Sequence, residues 1–174
     1  MHQLVTTLLV SSDASTLISL PFPSSLAPSV DTVLATLARK QLSSPALDAS
    51  GTAPAYDRIL YAWRISRDDY RGAASVLYER LERLKSAAHA HGATVLDPDD
   101  ETLCEAYLVL INCLACCGRE EGWILVDGDA EGGAKGRRII TLEDVRRSYQ
   151  AELDRRSEMV QGRFALVGEE MDVF

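Results

Sequence analysis

The sequence predicts an all-α protein, an irregular α-solenoid of antiparallel helical hairpins, and three observations carry that expectation. Apolar residues recur at helical spacing along most of the chain, as at Tyr56, Ile59, Leu60 and Trp63. Helix boundary residues bracket those runs, among them Pro28, Asp97 with Pro98, Gly118 and Thr141. Strand signals are scarce, and the glycine-rich "DGDAEGGAKGRR" from Asp127 to Arg138 cannot hold a helix. Residues 1–174 therefore read as a single solenoid fragment with one flexible loop at 127–138 and short strands possible around it. At 47% hydrophobic, a chain of this length can bury a real core.

The elements follow in order. "MHQLVTTLLVSSDASTLISL" lacks the basic start of a signal peptide and interleaves Ser and Thr with its apolar residues, so it reads as a retained helix. From Ser29 to Leu42, Val30, Val33, Leu34, Leu37 and Leu42 lie on one side of a helix. The small, turn-rich segment from Ser43 to Pro54 then reads as a surface loop joining two helices.

Tyr56 to Leu84 reads as a helical hairpin. The first stripe is Tyr56, Ile59, Leu60 and Trp63, with Asp57, Arg58, Arg64 and Arg67 off it. Asp68 and Asp69 suit the N-terminal end of the second helix, where the dipole favours negative charge. Tyr70, Ala73, Ala74, Leu77, Tyr78, Leu81 and Leu84 form the second stripe, and Glu79 can pair with Arg83. The alanines permit close helix approach while the large rings fill the space beside them. Charges of mixed sign around these rings point to core, not to a nucleic-acid stacking platform.

A further helix is announced by Asp97 as N-cap, Pro98 at its first position, Asp99, Asp100 and Glu101 in its first turn, and Gly118 as terminator. From Ala106 to Cys117 only Asn112 is polar, so cover on more than one side is expected. The last helix starts at Thr141 as N-cap, with Asp144 three residues on and Ile140 spaced to staple Val145. Its stripe of Leu142, Val145, Tyr149 and Leu153 is narrow. The tail adds Phe164, Leu166, Val167, Met171, Val173 and Phe174, which need the domain or a partner to cover them.

Chemistry-bearing motifs are weak. A net charge of -8, with 18 Lys and Arg spread along the chain, disfavours direct nucleic-acid binding. The longest apolar run falls short of the roughly 20 residues a membrane span needs, so no membrane insertion is expected. Cys104, Cys113, Cys116 and Cys117 share one apolar segment and are expected to be reduced, buried small hydrophobes. Cys113 and Cys116 have C-x-x-C spacing, but a zinc site wants a second ligand pair, and a redox dithiol should open a helix where these close one. "DGDAEG" imitates a calcium loop but has Arg138 at the twelfth position, and "GGAKGRR" lacks the Lys-Ser/Thr ending of a phosphate loop. The carboxylates Asp68, Asp69, Asp99, Asp100 and Glu101 suit helix caps, and His89 and His91 sit at a helix C-terminal end. No nucleophile and base constellation appears, so neither an enzyme nor a cofactor is expected.

Three blocks carry a resemblance: "YDRILYAWRISRDDYRGAASVLYERLERL" from Tyr56, "AYLVLINCLACCGREEGWILV" from Ala106, and "RRIITLEDVRRSYQAEL" from Arg137. In order and approximate spacing they resemble the C-terminal helical region of the nucleoporin 120/160 family, the long-arm scaffold subunit of the Y-shaped outer-ring complex of the nuclear pore. The resemblance implies a piece of an α-solenoid that follows a β-propeller in a longer protein. It also implies a non-enzymatic scaffold at the nuclear envelope that supports pore assembly and transport. The partners it implies are other scaffold nucleoporins of the Y, namely a neighbouring short-arm helical nucleoporin and the stalk nucleoporin with its small propeller protein. The chain contains no Phe-Gly dipeptide, in keeping with scaffold rather than permeability barrier. Physical reasoning selects Tyr149, Leu153, Phe164, Leu166 and Val167 as candidate protein interface, being apolar residues the fragment alone does not evidently bury. The alternative is a tetratricopeptide-like helical adaptor binding peptides or partner helices, although no repeat near 34 residues is visible.

Overall fold

The structure is a computed structural model that describes residues 3, 5–7, 14–43, 54–90, 101–118, 120–129 and 135–169. Its helices are α1 (Ala14–Ser19), α2 (Ala27–Ser43), α3 (Tyr56–Ile65), α4 (Tyr70–Ala90), α5 (Thr102–Cys116) and α6 (Leu142–Glu169). Strands β1 (Trp123–Asp129) and β2 (Lys135–Thr141) lie between α5 and α6. The chain forms two compact units, Met1–Val76 and Leu77–Phe174, dividing within α4.

In the first unit, Val30, Leu34 and Ala38 of α2 meet Ile59, Leu60 and Trp63 of α3, with Val5, Leu17 and Val76 completing the core. Trp63 is only 1% exposed, and Phe22 meets its ring edge-on at 5.5 Å between centroids. Ala73 and Ala74 are fully buried, as a face made for close approach requires. Trp63 is thus a core residue, while Tyr56 and Tyr61 are partly buried against that core and Tyr70 and Tyr78 are half-buried; burying a ring of this size contributes about 2–3 kcal/mol.

Polar groups then tie these helices together, which the apolar spacing does not reveal. Arg64 lies off the α3 stripe yet is largely buried, its Nε and Nη2 donating to both carboxylate oxygens of Asp31 on α2 at 2.9 and 2.8 Å. Its Nη1 donates to the Gly72 carbonyl on α4 at 2.8 Å. Gln41 of α2 is buried, and its Oε1 accepts from the Tyr56 backbone N–H, serving the open start of α3 where Ala55 offers no side-chain cap. Arg67 lies 3.2 Å from the Trp63 ring centroid, a cation over an aromatic face.

The break between α3 and α4 is a Schellman turn. The Asp69 N–H donates to the Arg64 carbonyl and the Asp68 N–H to the Ile65 carbonyl, with Asp68 in the left-handed region at φ 58°. Asp69 accepts from the Gly72 N–H at 2.9 Å, so of the two aspartates it is the one that caps α4. A Cβ on Gly72 would fall 2.0 Å from the Asp69 carboxylate, which explains the glycine in the first turn of a helix.

The second unit packs Leu77 and Leu81 of α4 with Leu103, Tyr107, Leu110, Cys113 and Leu114 of α5, Ile124 and Ile140 of the hairpin, and Val145 of α6 as its buried apolar residues. Here three expectations are corrected. The loop expected over 127–138 is largely hairpin: β1 runs to Asp129 and β2 resumes at Lys135, with Asp127 opposite Arg137 and Asp129 opposite Lys135. A strand ladder supplies the backbone hydrogen bonds that glycines deny to a helix. Residues 130–134 lie outside the described residues.

Second, α5 begins at Thr102, so Glu101 flanks the helix instead of entering its first turn. The Asp97 cap and Pro98 lie outside the described residues. The helix ends at Cys116 with Cys117 extended, two residues before Gly118, and its apolar surface is not covered all round, because Leu108 and Val109 stay 44% and 41% exposed. Third, Glu79 and Arg83 do not pair. The Arg83 Nε is buried without a hydrogen-bond partner, while Glu82 and Lys85 form an ion pair on that helix at 2.8 Å.

The start of α6 follows expectation. Thr141 donates from its N–H and Oγ1 to Asp144 at 3.0 and 2.7 Å, and the Asp144 N–H donates back to Thr141 Oγ1 at 3.2 Å. Ile140 and Val145 are both buried, as a hydrophobic staple requires. The Leu142 N–H also donates to the Gly122 carbonyl, fastening the helix start to the entrance of the hairpin.

Candidate interaction surface

Of the five candidate interface residues, the structure places Tyr149 and Leu153 on α6, both half-buried. The Tyr149 ring lies 5.6 Å from that of Tyr107 on α5, tilted by 41°, so part of its apolar surface is already used inside the second unit. Phe164, Leu166 and Val167 fall on the backbone of α6, with side chains outside the described set.

Beside Leu153, Glu152 is the hub of an ion cluster. It accepts from Arg155 through both carboxylate oxygens and from the Arg156 Nε at 3.0 Å, with only 11% of its side chain exposed. Burial pushes the Glu152 pKa up, but the hydrogen bonds from Arg155 and Arg156 outweigh it and hold the carboxyl below its usual value. This cluster lies along one helix at i,i+3 and i,i+4 spacing. It organises the α6 surface, and its charges also bear on the Cys104 thiol of α5.

Two apolar surfaces were not anticipated. On the hairpin, Ile124 and Ile140 face each other inward while the adjacent pair, Leu125 and Ile139, faces outward at 45% and 57% exposure. On α5, Leu108 and Val109 lie beside exposed Glu105 and Asn112. Hydrophobicity alone could not separate inner from outer here, since both strand faces carry apolar residues.

A cleft of about 180 Å³ opens within the second unit, lined by Tyr78, Leu81, Glu82 and Lys85 of α4, Tyr107 of α5, Arg138 and Ile140 of β2, and Asp144, Val145 and Ser148 of α6. Lys85 lies 5.3 Å from the Tyr107 ring centroid. Burial works against its charge, but hydrogen bonds to Glu82 and Tyr107 prevail and raise its pKa. Burial, reinforced by Glu82, raises the Tyr78 phenol. Only the Ile140 and Val145 staple hinted at this place, because the other lining residues converge from four elements far apart in sequence.

Of the four cysteines expected to be buried, only Cys113 is: Cys104 and Cys117 are half-buried, and Cys116 is exposed because the end of α5 lacks cover there among the described residues. Burial raises the Cys104 thiol, and the Cys117 Sγ donates to the Cys113 carbonyl. Among the described residues no helix is long and apolar enough to cross a membrane.

Known proteins supply the next observation. Residues 1–116, two thirds of the chain, match the family model described as the NUP160/120 middle TPR. The chain belongs to the NUP160/120 nucleoporin family. Nucleoporin NUP120 of Chaetomium thermophilum is 39% identical over 125 residues, 67% of this chain and 9% of the relative. Nucleoporin nup120 of Schizosaccharomyces pombe is 29% identical over 105 residues, 58% of this chain and again 9% of the relative. The aligned part of the chain thus spans under a tenth of these NUP120 relatives. The matching model is the middle TPR of NUP160/120, so residues 1–116 match that segment where the three sequence blocks had pointed to the C-terminal helical region. NUP160/120 proteins are structural nucleoporins of the nuclear pore complex, and the helical hairpins observed here suit a scaffold of that kind.

Proposed function

We propose that this segment scaffolds the Y-shaped outer-ring complex of the nuclear pore, holding other nucleoporins and so supporting pore assembly and nucleocytoplasmic transport. The observation that carries the reading is the NUP160/120 match over residues 1–116 of a chain whose described residues are mainly packed helices. Residues 1–174 act as part of a longer α-solenoid, and the segment performs no catalysis. Its partners are the neighbouring short-arm helical nucleoporin and the stalk nucleoporin with its small propeller protein. The contact surface lies on α6, with Tyr149, Leu153, Phe164, Leu166 and Val167 as its residues.

Size-exclusion chromatography with light scattering, on the chain alone and mixed with those two neighbours, tests this. Co-elution in fixed stoichiometry is expected, with loss of the complex on Phe164→Ala combined with Leu166→Asp while circular dichroism stays helical. A monomer that ignores both neighbours would sink the partner assignment, and a complex indifferent to the double variant would move the interface off α6.

A further inference from the structure

The cleft of the second unit has an apolar floor and unspent donors at its mouth. Leu81, Ile140 and Val145 form the floor, each at most 3% exposed. Its two carboxylates are engaged by the chain itself: Glu82 by Lys85 at 2.8 Å, and Asp144 by the N–H and hydroxyl of Thr141. Arg138 is different. Its side chain is exposed on β2, a strand held in register opposite Val126, and no hydrogen-bonded carboxylate meets it among the described residues. The Ser148 hydroxyl and Tyr78 phenol stand at the same opening, likewise without a hydrogen-bond partner among the described residues.

We propose that this cleft receives an acidic peptide segment of a partner protein, one aliphatic side chain resting on the floor and the adjacent carboxylate paired with Arg138. A volume of about 180 Å³ suits a single medium-sized side chain and not a cofactor. A guanidinium at the rim matches a carboxylate through two parallel N–H donors, and Ser148 can add a third. Glu82 and Asp144 in the walls select a singly charged carboxylate over a doubly charged phosphate, because each added negative charge meets theirs. The inference goes beyond the scaffold reading and does not depend on it.

The test is NMR titration of the isotope-labelled 174-residue chain with N-acetyl-leucyl-glutamate amide. Saturable shifts at the amides of Tyr78, Arg138 and Ser148 are expected, with affinity at least fivefold weaker for the glutamine analogue and for Arg138→Gln. Should that variant misfold, the glutamine analogue on the unaltered chain decides alone. Shifts that never saturate, equal affinity for both probes, or tighter binding of the phosphoserine analogue would each overturn the proposal. None of these outcomes touches the scaffold reading, which co-elution tests separately.

Discussion

The two units hold their helices together by different means. In the first, side-chain ties cross between elements: Arg64 joins α3 to α2 and α4, and Gln41 serves the start of α3 from α2. In the second, the side-chain bonds described for Lys85 with Glu82, Glu152 with Arg155 and Arg156, and Thr141 with Asp144 close over three or four residues. There the elements meet mainly through apolar burial and the backbone ladder of the hairpin, with Lys85 of α4 also bonded to Tyr107 of α5. Deleting Arg64 should therefore loosen three helices in the first unit, whereas deleting Glu82 should loosen a single helix turn in the second.

The largest break is expected from Trp63→Ala, about 3–5 kcal/mol by chemical denaturation, because it empties the centre of the first core. A loss under 1 kcal/mol would mean that Trp63 is not its keystone. Next comes Arg64→Ala, which leaves the Asp31 carboxylate and the Gly72 carbonyl without their donor at about 2–3 kcal/mol. The matched deletion in the second unit, Glu82→Gln, should cost about 0.3–0.5 kcal/mol. Equal costs would erase the contrast between the units. Asp68→Gly should stabilise the chain by about 0.5–1 kcal/mol, since glycine adopts the left-handed conformation without steric cost; an unchanged Tm would show that the aspartate offsets its strain locally.

The smallest effect is a pH dependence. The folded-state pKa of Glu152 lies below its ordinary value, so its stabilising contribution is present at neutral pH and lost as pH falls through that folded-state pKa. Glu152→Gln should narrow the stability gap between pH 7 and pH 3 measured by denaturant midpoint. An identical pH profile in the two proteins would remove the cluster from the ledger.

Much of the core was legible because it rests on local periodicity. Trp63, Leu60, Ala73 and Ala74 face inward as their spacing says, and the Thr141 cap with its staple needs only six consecutive residues. The Asp127 to Arg138 stretch was less legible, since glycines announce only that a helix is excluded, while cross-strand register settles what replaces it. The candidate surface was least legible. Tyr149 and Leu153 were visible as a stripe, yet the Tyr107 ring against Tyr149 and the Arg138 rim of the cleft depend on neighbours far along the chain.

The sequence by itself determined the helical class, the α3 and α4 hairpin and the start of α6, because short-range spacing and capping chemistry act over one to three turns. Only the tertiary structure decided that Arg64 clamps three helices, that Leu125 faces out where Ile124 faces in, and that the cleft residues converge. Such pairings are chosen by burial and charge neutralisation between elements, and these energies exist only once the elements have met.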